Sequence, residues 1–295
     1  MSLAPVGDYL AEQLGRDVVL TESCTDRGIK TLLGLNETKV VLLENLRFHP
    51  EEEKNDRNFA KILSSYGEVY VNDAFGADHR KHASTYEINA FYKNTAVGGF
   101  LLKEEIKALG KVLEAPKKPF VAILGGAKIS DKIQIIRSLL PKVNHLLIGG
   151  AMAYPFLKAK GKSVGRSLCE DNDVQLAGQI LREQGKEKIH LPMDHIVSSS
   201  PQGTGETTPG ENISDQLMGL DIGDKTMDRY RGVLQDAKTV LWNGPMGLFE
   251  KPEYAKGTFS MARTLVELTE KGSFTLVGGG DSVSAVHQSG LAEKL

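Results

Sequence analysis

The stretch FVAILGGAKISDK, residues 120–132, decides the fold of this chain. Its first five residues, Phe120–Leu124, are all apolar, which is typical of a strand buried on both faces of a parallel sheet. Two glycines follow, and a helical run is predicted over Asp131–Leu140. The apolar stripe of that run consists of Ile133, Ile136, Leu139 and Leu140. This order predicts a βα unit, and such units bind ligands at the carboxyl end of the strand.

The same pattern recurs along the chain and predicts an α/β fold. Further strands are predicted at Val40–Leu43, Val69–Asn72, His145–Ile148, Lys188–His190, Thr239–Trp242 and Phe274–Val277. Further helical runs are Asp8–Leu14, Asn58–Tyr66, Phe100–Leu113 and Thr258–Glu270. Alternating strands and helices predict parallel sheets with helices on both faces. The segment Glu114–Pro119, rich in proline and charge, indicates a domain boundary after the helix Phe100–Leu113.

Composition narrows the class of protein. The 295 residues carry a net charge of −2, which gives no reason to expect nucleic acid or a membrane as a partner. No segment approaches the roughly 18 apolar residues of a membrane span, and the N-terminus shows no signal-peptide pattern. Cys24 and Cys169 lack the spacing of a metal site, and two such cysteines suit a reducing compartment. We therefore expect a cytoplasmic protein.

The loop after Phe120–Leu124 suits phosphate binding. Gly125 and Gly126 let a phosphate approach the backbone, and the helix that follows offers free N–H groups. Lys128 and Lys132 are four residues apart, so one face of that turn can carry both ammonium groups. The loop matches neither the Walker pattern nor the dinucleotide pattern. The alternative interpretation is a tight turn with solvated lysines.

Two further loops follow predicted strands. Gly149 and Gly150 follow His145–Ile148, where a flat ring can lie against the backbone or a helix can pack closely on the sheet. The turn after Thr239–Trp242 ends in Glu250, which either accepts hydrogen bonds from the hydroxyls of a sugar or lies in water.

The fourth glycine-bearing loop is Gly278–Ser282, which reads GGGDS. Asp281 is either the N-cap of the next helix or a carboxylate that holds Mg²⁺ on a nucleotide, beside N–H groups that receive phosphate. Together the four loops contain the parts of a Mg-nucleotide site. No hydrolase motif is present, and we assign no chemistry to Gly203–Gly210.

The first third of the chain carries cations instead. Arg47 and Arg80 each follow a predicted strand, and if those strands are neighbours, two guanidiniums face one cleft. Guanidinium binds oxyanions in a bidentate manner, which suits a small phosphorylated and carboxylated substrate. The alternative is a solvated basic surface.

The combination of motifs resembles the phosphoglycerate kinase family over essentially the whole chain. The motifs occur in the family's order: LLENLRFHPEE, VNDAFGADHRKHAST, AILGGAKISDKI, LIGGAMAYPFL, LMGLDIG, VLWNGPMGLFE and VGGGDS. The resemblance implies reversible phosphoryl transfer between 1,3-bisphosphoglycerate and MgADP by a monomer. It also implies direct in-line transfer, in which catalysis rests on positioning and charge neutralisation.

The resemblance assigns a role to each matching residue. Arg47 and Arg80 would hold the phosphate of the substrate, with His82 beside them. Lys128 would stabilise the transferring phosphoryl group, and Lys132 would contact nucleotide phosphates. The residues that would border the adenine are Gly126, Gly149, Gly150, Leu168, Gly219 and Leu220. Glu250 would bind the ribose and Asp281 the Mg²⁺, while the backbone at Gly279, Gly280 and Ser282 would receive phosphates.

The resemblance also implies two Rossmann-like three-layer domains. Residues 1–98 would form part of a glycerate-binding domain, 99–115 an interdomain helix that permits closure, and 116–295 the nucleotide-binding domain. The resemblance further implies that the chain is truncated at both ends relative to the family, so we expect an incomplete N-terminal domain. The alternative to an active kinase is then a nucleotide-binding module without turnover. A catalytically dead relative is disfavoured by the retained Lys128, Lys132, Glu250 and Asp281.

Overall fold

A computed structural model describes residues 1–35, 40–183 and 185–295, with the backbone alone at residues 111 and 113. The chain divides into two compact units, Met1–Leu109 and Gly110–Leu295. None of the described helices combines the length and the apolar composition needed to span a membrane.

The first unit contains short elements. They are α1 (Ala4–Leu14), β1 (Val18–Leu20), α2 (Gly28–Gly34), β2 (Val40–Leu42), α3 (Pro50–Glu53), α4 (Arg57–Ser64), β3 (Tyr70–Asn72) and β4 (Ala96–Gly98). Helix α5 (Phe100–Leu113) matches its predicted bounds and contains the boundary between the units. Strands β1 and β2 form one parallel pair, and β3 and β4 form another. A small core around Phe59, Ala60 and Leu63 of α4 packs against Ile88 and Tyr92.

The second unit is larger. Its elements are β5 (Phe120–Leu124), α6 (Ile133–Leu139), β6 (His145–Ile148), α7 (Ala153–Ala159), α8 (Asp171–Ile180), β7 (Ile189–His190), β8 (His195–Ser198), β9 (Glu206–Thr207), β10 (Met218–Ile222), α9 (Asp224–Leu234), β11 (Thr239–Asn243), α10 (Lys256–Glu270), β12 (Phe274–Gly278) and α11 (Gly280–Gln288). Five strands form a parallel sheet in the order β12-β11-β5-β6-β7. All five were predicted to within one residue at either end, so the predicted parallel sheet is confirmed.

Alternation along the central strand β5 builds three layers. Phe120, Ala122 and Leu124 belong to a core that includes residues of α6, α7 and α8. Val121 and Ile123 point the other way, into a core that includes residues of α9, α10 and α11. All five side chains are fully buried, and burying one Val, Leu, Ile or Phe contributes about 1.5–3 kcal/mol. The predicted three-layer α/β architecture is therefore confirmed for this unit.

A second sheet in this unit is antiparallel and was not predicted. Its order is β10-β8-β9, and the register shifts by a β-bulge between Gly219 and Asp221 of β10. A bulge changes the direction in which a side chain points. Because of the bulge, Gly219 and Asp221 do not face the same side of the sheet, as they would in a regular strand.

Candidate functional site

An open cavity of about 360 Å³ lies in the second unit. Seven of the predicted site residues line it: Gly126, Gly150, Leu168, Gly219, Leu220, Glu250 and Asp281. Four of these residues come from loops or first helical turns that follow β5, β6, β11 and β12, which are strands of one parallel sheet. The cavity thus lies where ligands of open α/β sheets bind, at the carboxyl ends of the strands.

Glycine is required at one point of the cavity wall because three loops meet there. Gly150 has φ +64°, and a Cβ on it would lie 2.6 Å from Gly126 N, 2.7 Å from Gly126 O and 2.8 Å from Pro245 O. Gly149 packs differently, because a Cβ there would strike the sulfur of Met246. Gly150 therefore lines the cavity, while Gly149 permits close packing against Met246.

The Lys132 ammonium joins two of the loops. It donates hydrogen bonds to the backbone oxygen of Asn243 at 3.0 Å and to its Oδ1 at 2.5 Å. Burial lowers the pKa of Lys132 to about 8, although the nearby Asp281 and Asp131 carboxylates oppose this shift. Lys132 is thus a partly desolvated cation held between the ends of β5 and β11, electrostatically coupled to the carboxylate at the end of β12.

The Lys128 ammonium has a different partner. Its Nζ lies 2.6 Å from Glu170 Oε1, and the two side chains are 43% and 51% exposed. The hydrogen bond to Glu170 raises the pKa of Lys128. Helix α6 begins at Ile133, two residues later than predicted, so both lysines lie in the loop and turn that precede the helix.

The loop between the two lysines is also tied to helix α8. The backbone N–H of Ser130 donates to Asp173 Oδ1 at 3.2 Å. Glu170 is the residue immediately before α8, and Leu168, two residues earlier, lines the cavity. One short segment therefore contributes to the cavity wall and also holds the lysine loop.

The last glycine loop opens helix α11. Gly279, with φ +91°, is the N-cap residue, and the helix begins at Gly280. Asp281 lies inside the first turn, is exposed and lines the cavity, so the N-cap interpretation of Asp281 is wrong. Ser282 is buried, and its Oγ accepts a 2.6 Å hydrogen bond from Gly244 N.

The start of α11 offers backbone donors beside this carboxylate. Among the described residues, no acceptor pairs with the backbone N–H groups of Gly280, Asp281 and Ser282, as is usual in a first helical turn. Such N–H groups and the positive end of the helix dipole favour anions. Because Mg²⁺ is commonly held by one or two carboxylates together with substrate phosphates, an exposed Asp281 beside phosphate-binding N–H groups fits this ion. Within the described ranges, no cluster of three or more His, Cys, Asp or Glu could hold a metal without such phosphates.

The remaining predicted residues of the cavity lie at its rim and wall. Glu250 is exposed, and its carboxylate makes no hydrogen bond to another described residue. Leu168 is 51% exposed, which makes it an apolar surface facing the cavity. Gly219 lies against the hydroxyl of Tyr154, and a Cβ on Gly219 would strike that oxygen. Both interpretations of Glu250, a sugar ligand or a solvated carboxylate, remain compatible with this placement.

The two arginines predicted to bind the substrate, Arg47 and Arg80, are exposed. Arg47 Nε lies 4.0 Å from Glu53 Oε1, and Arg80 Nε donates to His79 Nε2 at 3.1 Å. The strands that precede them, β2 and β3, pair with β1 and β4 in two separate sheets. The condition that their strands are sheet neighbours is therefore not met in the described residues.

His82 lies in the interior rather than on an exposed basic surface. Only 7% of the residue is exposed, and its Nδ1 lies 3.8 Å from Oε1 of the buried Glu52. Glu52 also accepts hydrogen bonds from Ser84 N at 3.0 Å and Ser84 Oγ at 2.6 Å. His82 thus contacts a carboxylate that holds two segments of this unit together.

Several residues at the site were not predicted. Further residues in the cavity wall are Ala127, Ala151, Tyr154, Pro201, Met218, Pro245, Gly247 and Leu248. Pro245 and Leu248 belong to the predicted loop before Glu250, and Tyr154 follows Gly150 closely, so proximity was an available signal. Pro201 lies between β8 and β9, and nothing in its sequence context indicated the cavity.

Comparison with known proteins gives a consistent result. The family described as "Phosphoglycerate kinase" matches residues 1–295. The phosphoglycerate kinase of Anaeromyxobacter sp. (strain Fw109-5) is 50% identical over 299 residues, covering 100% of this chain and 74% of the relative. That of Chlorobium phaeobacteroides (strain BS1) is 50% identical over 297 residues, covering 99% and 75%.

Solved structures agree with this result. Phosphoglycerate kinase from Coxiella burnetii superposes with a TM-score of 0.79 at 34% identity, covering 100% of this chain and 74% of that one. The enzyme from Pyrococcus horikoshii OT3 gives a TM-score of 0.84 at 29% identity, covering 98% and 74%.

Fold and cavity define the class: a two-unit α/β protein with a cavity at the carboxyl edge of a parallel sheet. Its glycine loops carry two lysines and the Asp281 carboxylate, which are residue types that phosphoryl-transfer sites use. The chain belongs to the phosphoglycerate kinase family, and it is therefore a kinase.

Proposed function

We propose that this protein transfers a phosphoryl group reversibly between the acyl phosphate of 1,3-bisphosphoglycerate and ADP, giving 3-phosphoglycerate and ATP. In the reverse direction the acceptor is a carboxyl group. The observation that carries the proposal is the cavity itself, whose wall contains seven residues that the sequence had already assigned to a nucleotide. The comparisons support the same activity, because the relatives named above are phosphoglycerate kinases.

In this proposal the nucleotide occupies the cavity of the second unit. The base lies between the backbone at Gly150 and the apolar side chain of Leu168, both of which line the cavity. Glu250, whose carboxylate has no partner among the described side chains, accepts hydrogen bonds from the ribose hydroxyls. The phosphates extend toward the free N–H groups at the start of α11.

Catalysis then depends on positioning and charge neutralisation. Lys132, fixed by Asn243, contacts the nucleotide phosphates, and Lys128 leaves Glu170 to neutralise the transferring phosphoryl group. Asp281 would hold Mg²⁺, and the bound ion would neutralise charge on the phosphates. No general base is required, since the attacking oxygen is an ionised phosphate or carboxylate.

The glycerate substrate is assigned to the first unit. The exposed guanidinium groups of Arg47 and Arg80 suit its phosphate, and their present partners, Glu53 and His79, are exposed and exchangeable. His82 is buried, so we assign it an indirect role through Glu52.

The proposed domains keep the predicted bounds, 1–98, 99–115 and 116–295. The unit boundary after Leu109 falls within the proposed interdomain segment. Two unpaired thiols, Cys24 and Cys169, support a cytoplasmic location, and we propose a monomer that acts on small molecules. The comparisons do not favour the alternative of a nucleotide-binding module without turnover.

The proposal is tested by two measurements on the same preparation. Calorimetric titration with MgADP measures nucleotide binding, and a coupled assay measures ADP formed from ATP in the presence of 3-phosphoglycerate. We expect Asp281→Asn to weaken MgADP binding and Lys128→Ala to lower kcat by roughly a hundredfold, because a charge-stabilising group contributes about 2.7–4 kcal/mol to a transition state.

The matched controls are Asp236→Asn and Lys238→Ala. Both residues are exposed and precede β11, at the opposite edge of the sheet from the cavity. The controls are expected to bind and turn over like the wild type. Turnover independent of 3-phosphoglycerate, or equal losses in the controls, would contradict the proposal.

A further inference from the structure

A buried carboxylate lies behind the cavity wall. Asp221 belongs to β10, follows the cavity residue Leu220 and is only 1% exposed. Its Oδ2 accepts a 2.7 Å hydrogen bond from Gly257 N, and its Oδ1 accepts a 2.8 Å hydrogen bond from Ile222 N. The carboxylate therefore ties β10 to the second residue of helix α10.

The same carboxylate contacts the loop that carries Glu250. A Cβ added to Gly247 or to Gly257 would strike the Asp221 side chain, so both backbones lie directly on it. Leu248 N also donates to Leu220 O at 2.8 Å. Because Gly247, Leu248 and Glu250 all line the cavity, Asp221 lies directly behind the loop that forms this part of the wall.

This placement is costly for a carboxylate. Burial raises the pKa of Asp221 to about 7, and the two backbone donors and Lys256 only partly oppose the shift. The ammonium of Lys256 pairs instead with the Asp224 carboxylate, 2.6 Å away. An apolar side chain at this position would avoid the cost of desolvation. Packing alone therefore does not explain why position 221 carries a hydrogen-bonded carboxylate.

We propose that Asp221 is a positioning residue for the adenosine part of the nucleotide. It holds the Gly247–Glu250 loop and the start of α10 against β10, so that the side of the cavity carrying Leu220 and Glu250 is formed before the nucleotide binds. This inference rests on the proposed nucleotide site. Preorganisation of this kind raises affinity, because none of the binding free energy is then needed to order the loop.

A second buried aspartate provides a matched control. Asp194 is also 1% exposed, and it accepts hydrogen bonds from Lys225 N at 3.0 Å, Thr226 N at 2.8 Å and Thr226 Oγ1 at 2.6 Å. It ties the segment before β8 to helix α9 and does not line the cavity. Asp194→Asn therefore shows how the change of a buried aspartate affects stability, without the effect on nucleotide binding that we propose for Asp221.

The experiment compares Asp221→Asn with Asp194→Asn. Asparagine keeps the shape but presents an N–H₂ group to one of the two backbone donors, so one hydrogen bond is lost. For Asp221→Asn we expect the KM for MgATP and the Kd for MgADP to rise about tenfold, with an unchanged KM for 3-phosphoglycerate. We expect both variants to lower the urea midpoint of unfolding by a similar amount. In Asp194→Asn, however, the KM for MgATP and the Kd for MgADP should keep their wild-type values.

Two results would overturn the inference. One is an equal change of nucleotide affinity in the two variants, and the other is a wild-type Kd in Asp221→Asn. If Asp221→Asn does not fold, Gly257→Ala displaces the same carboxylate from outside the cavity, and an unchanged Kd there would also refute the positioning role. A wild-type protein that binds no MgADP would instead overturn the proposed function and the inference with it.

Discussion

The sharpest structural prediction concerns Gly150, where three loops meet in the cavity wall. The substitution Gly150→Ala places a methyl group between Gly126 N, Gly126 O and Pro245 O, at distances of 2.6, 2.7 and 2.8 Å. These neighbours are backbone atoms, so none can move away by a rotamer change. The loops after β5, β6 and β11 must separate instead.

The magnitude follows from two contributions. A non-glycine residue at φ +64° costs about 1 kcal/mol, and overpacking a close-packed site costs about 1–3 kcal/mol more. We therefore expect Gly150→Ala to lower the free energy of unfolding by about 2–4 kcal/mol. The control is Gly161→Ala, because Gly161 has φ +79° with no atom within 4 Å of the added methyl group. It carries the backbone cost alone, about 1 kcal/mol.

Urea unfolding of both variants measures the two free energies, and MgADP titration measures the consequence for the site. We expect Gly150→Ala to lose measurable nucleotide affinity under conditions where it is still folded, and Gly161→Ala to retain it. Equal unfolding free energies for the two variants would refute the close meeting of the three loops.

Two further predictions concern the lysines. Burial lowers the pKa of Lys132 from 10.5 to about 8 in the folded state. Between these pH values the folded state therefore binds fewer protons than the unfolded state. The free energy of unfolding should accordingly rise as the pH increases from about 8 to 10.5, and this gain should be lost as the pH falls back toward 8. Urea unfolding between pH 7.5 and about 10.5 should show this rise in the wild type and not in Lys132→Met; identical profiles would contradict the desolvated lysine. Glu170→Gln removes the partner of the Lys128 ammonium, and we expect MgATP to bind up to about fivefold more tightly because an exposed pair contributes at most about 1 kcal/mol. The control is Asp171→Asn, which removes the neighbouring ion pair between Asp171 and Lys158. If Glu170→Gln binds MgATP more weakly than the wild type, the Lys128–Glu170 pair assists nucleotide binding and does not compete with it.

The sequence predicted the buried parallel sheet well because its signal is local. Phe120–Leu124 is an uninterrupted apolar strand between a proline and two glycines, and the structure gives the same bounds. The antiparallel sheet was missed because β10 reads MGLDI, with a glycine, an aspartate and a bulge that obscure the alternation. Helix α6 begins two residues later than predicted because the residues before Ile133 form the loop that carries both lysines.

The same distinction applies to the site. Glycines and charges that directly follow strands, such as Gly150, Glu250 and Asp281, were identifiable because the fold class alone brings strand ends together. The partners of the charged groups were not identifiable. Lys132 meets Asn243, which is 111 residues away, and His82 meets Glu52 in the interior, so both depend on tertiary packing that no local pattern encodes.

The central claim is that the nucleotide binds in the cavity at the carboxyl edge of the five-stranded sheet. Photolabelling with 2-azido-ADP and Mg²⁺, followed by peptide mapping, tests it most directly. We expect label on peptides that contain Tyr154, Leu168 or Leu220, which line the cavity, and we expect unlabelled MgADP to suppress that label. Label that MgADP suppresses but that maps to residues 1–109, or to the opposite edge of the sheet, would contradict the account.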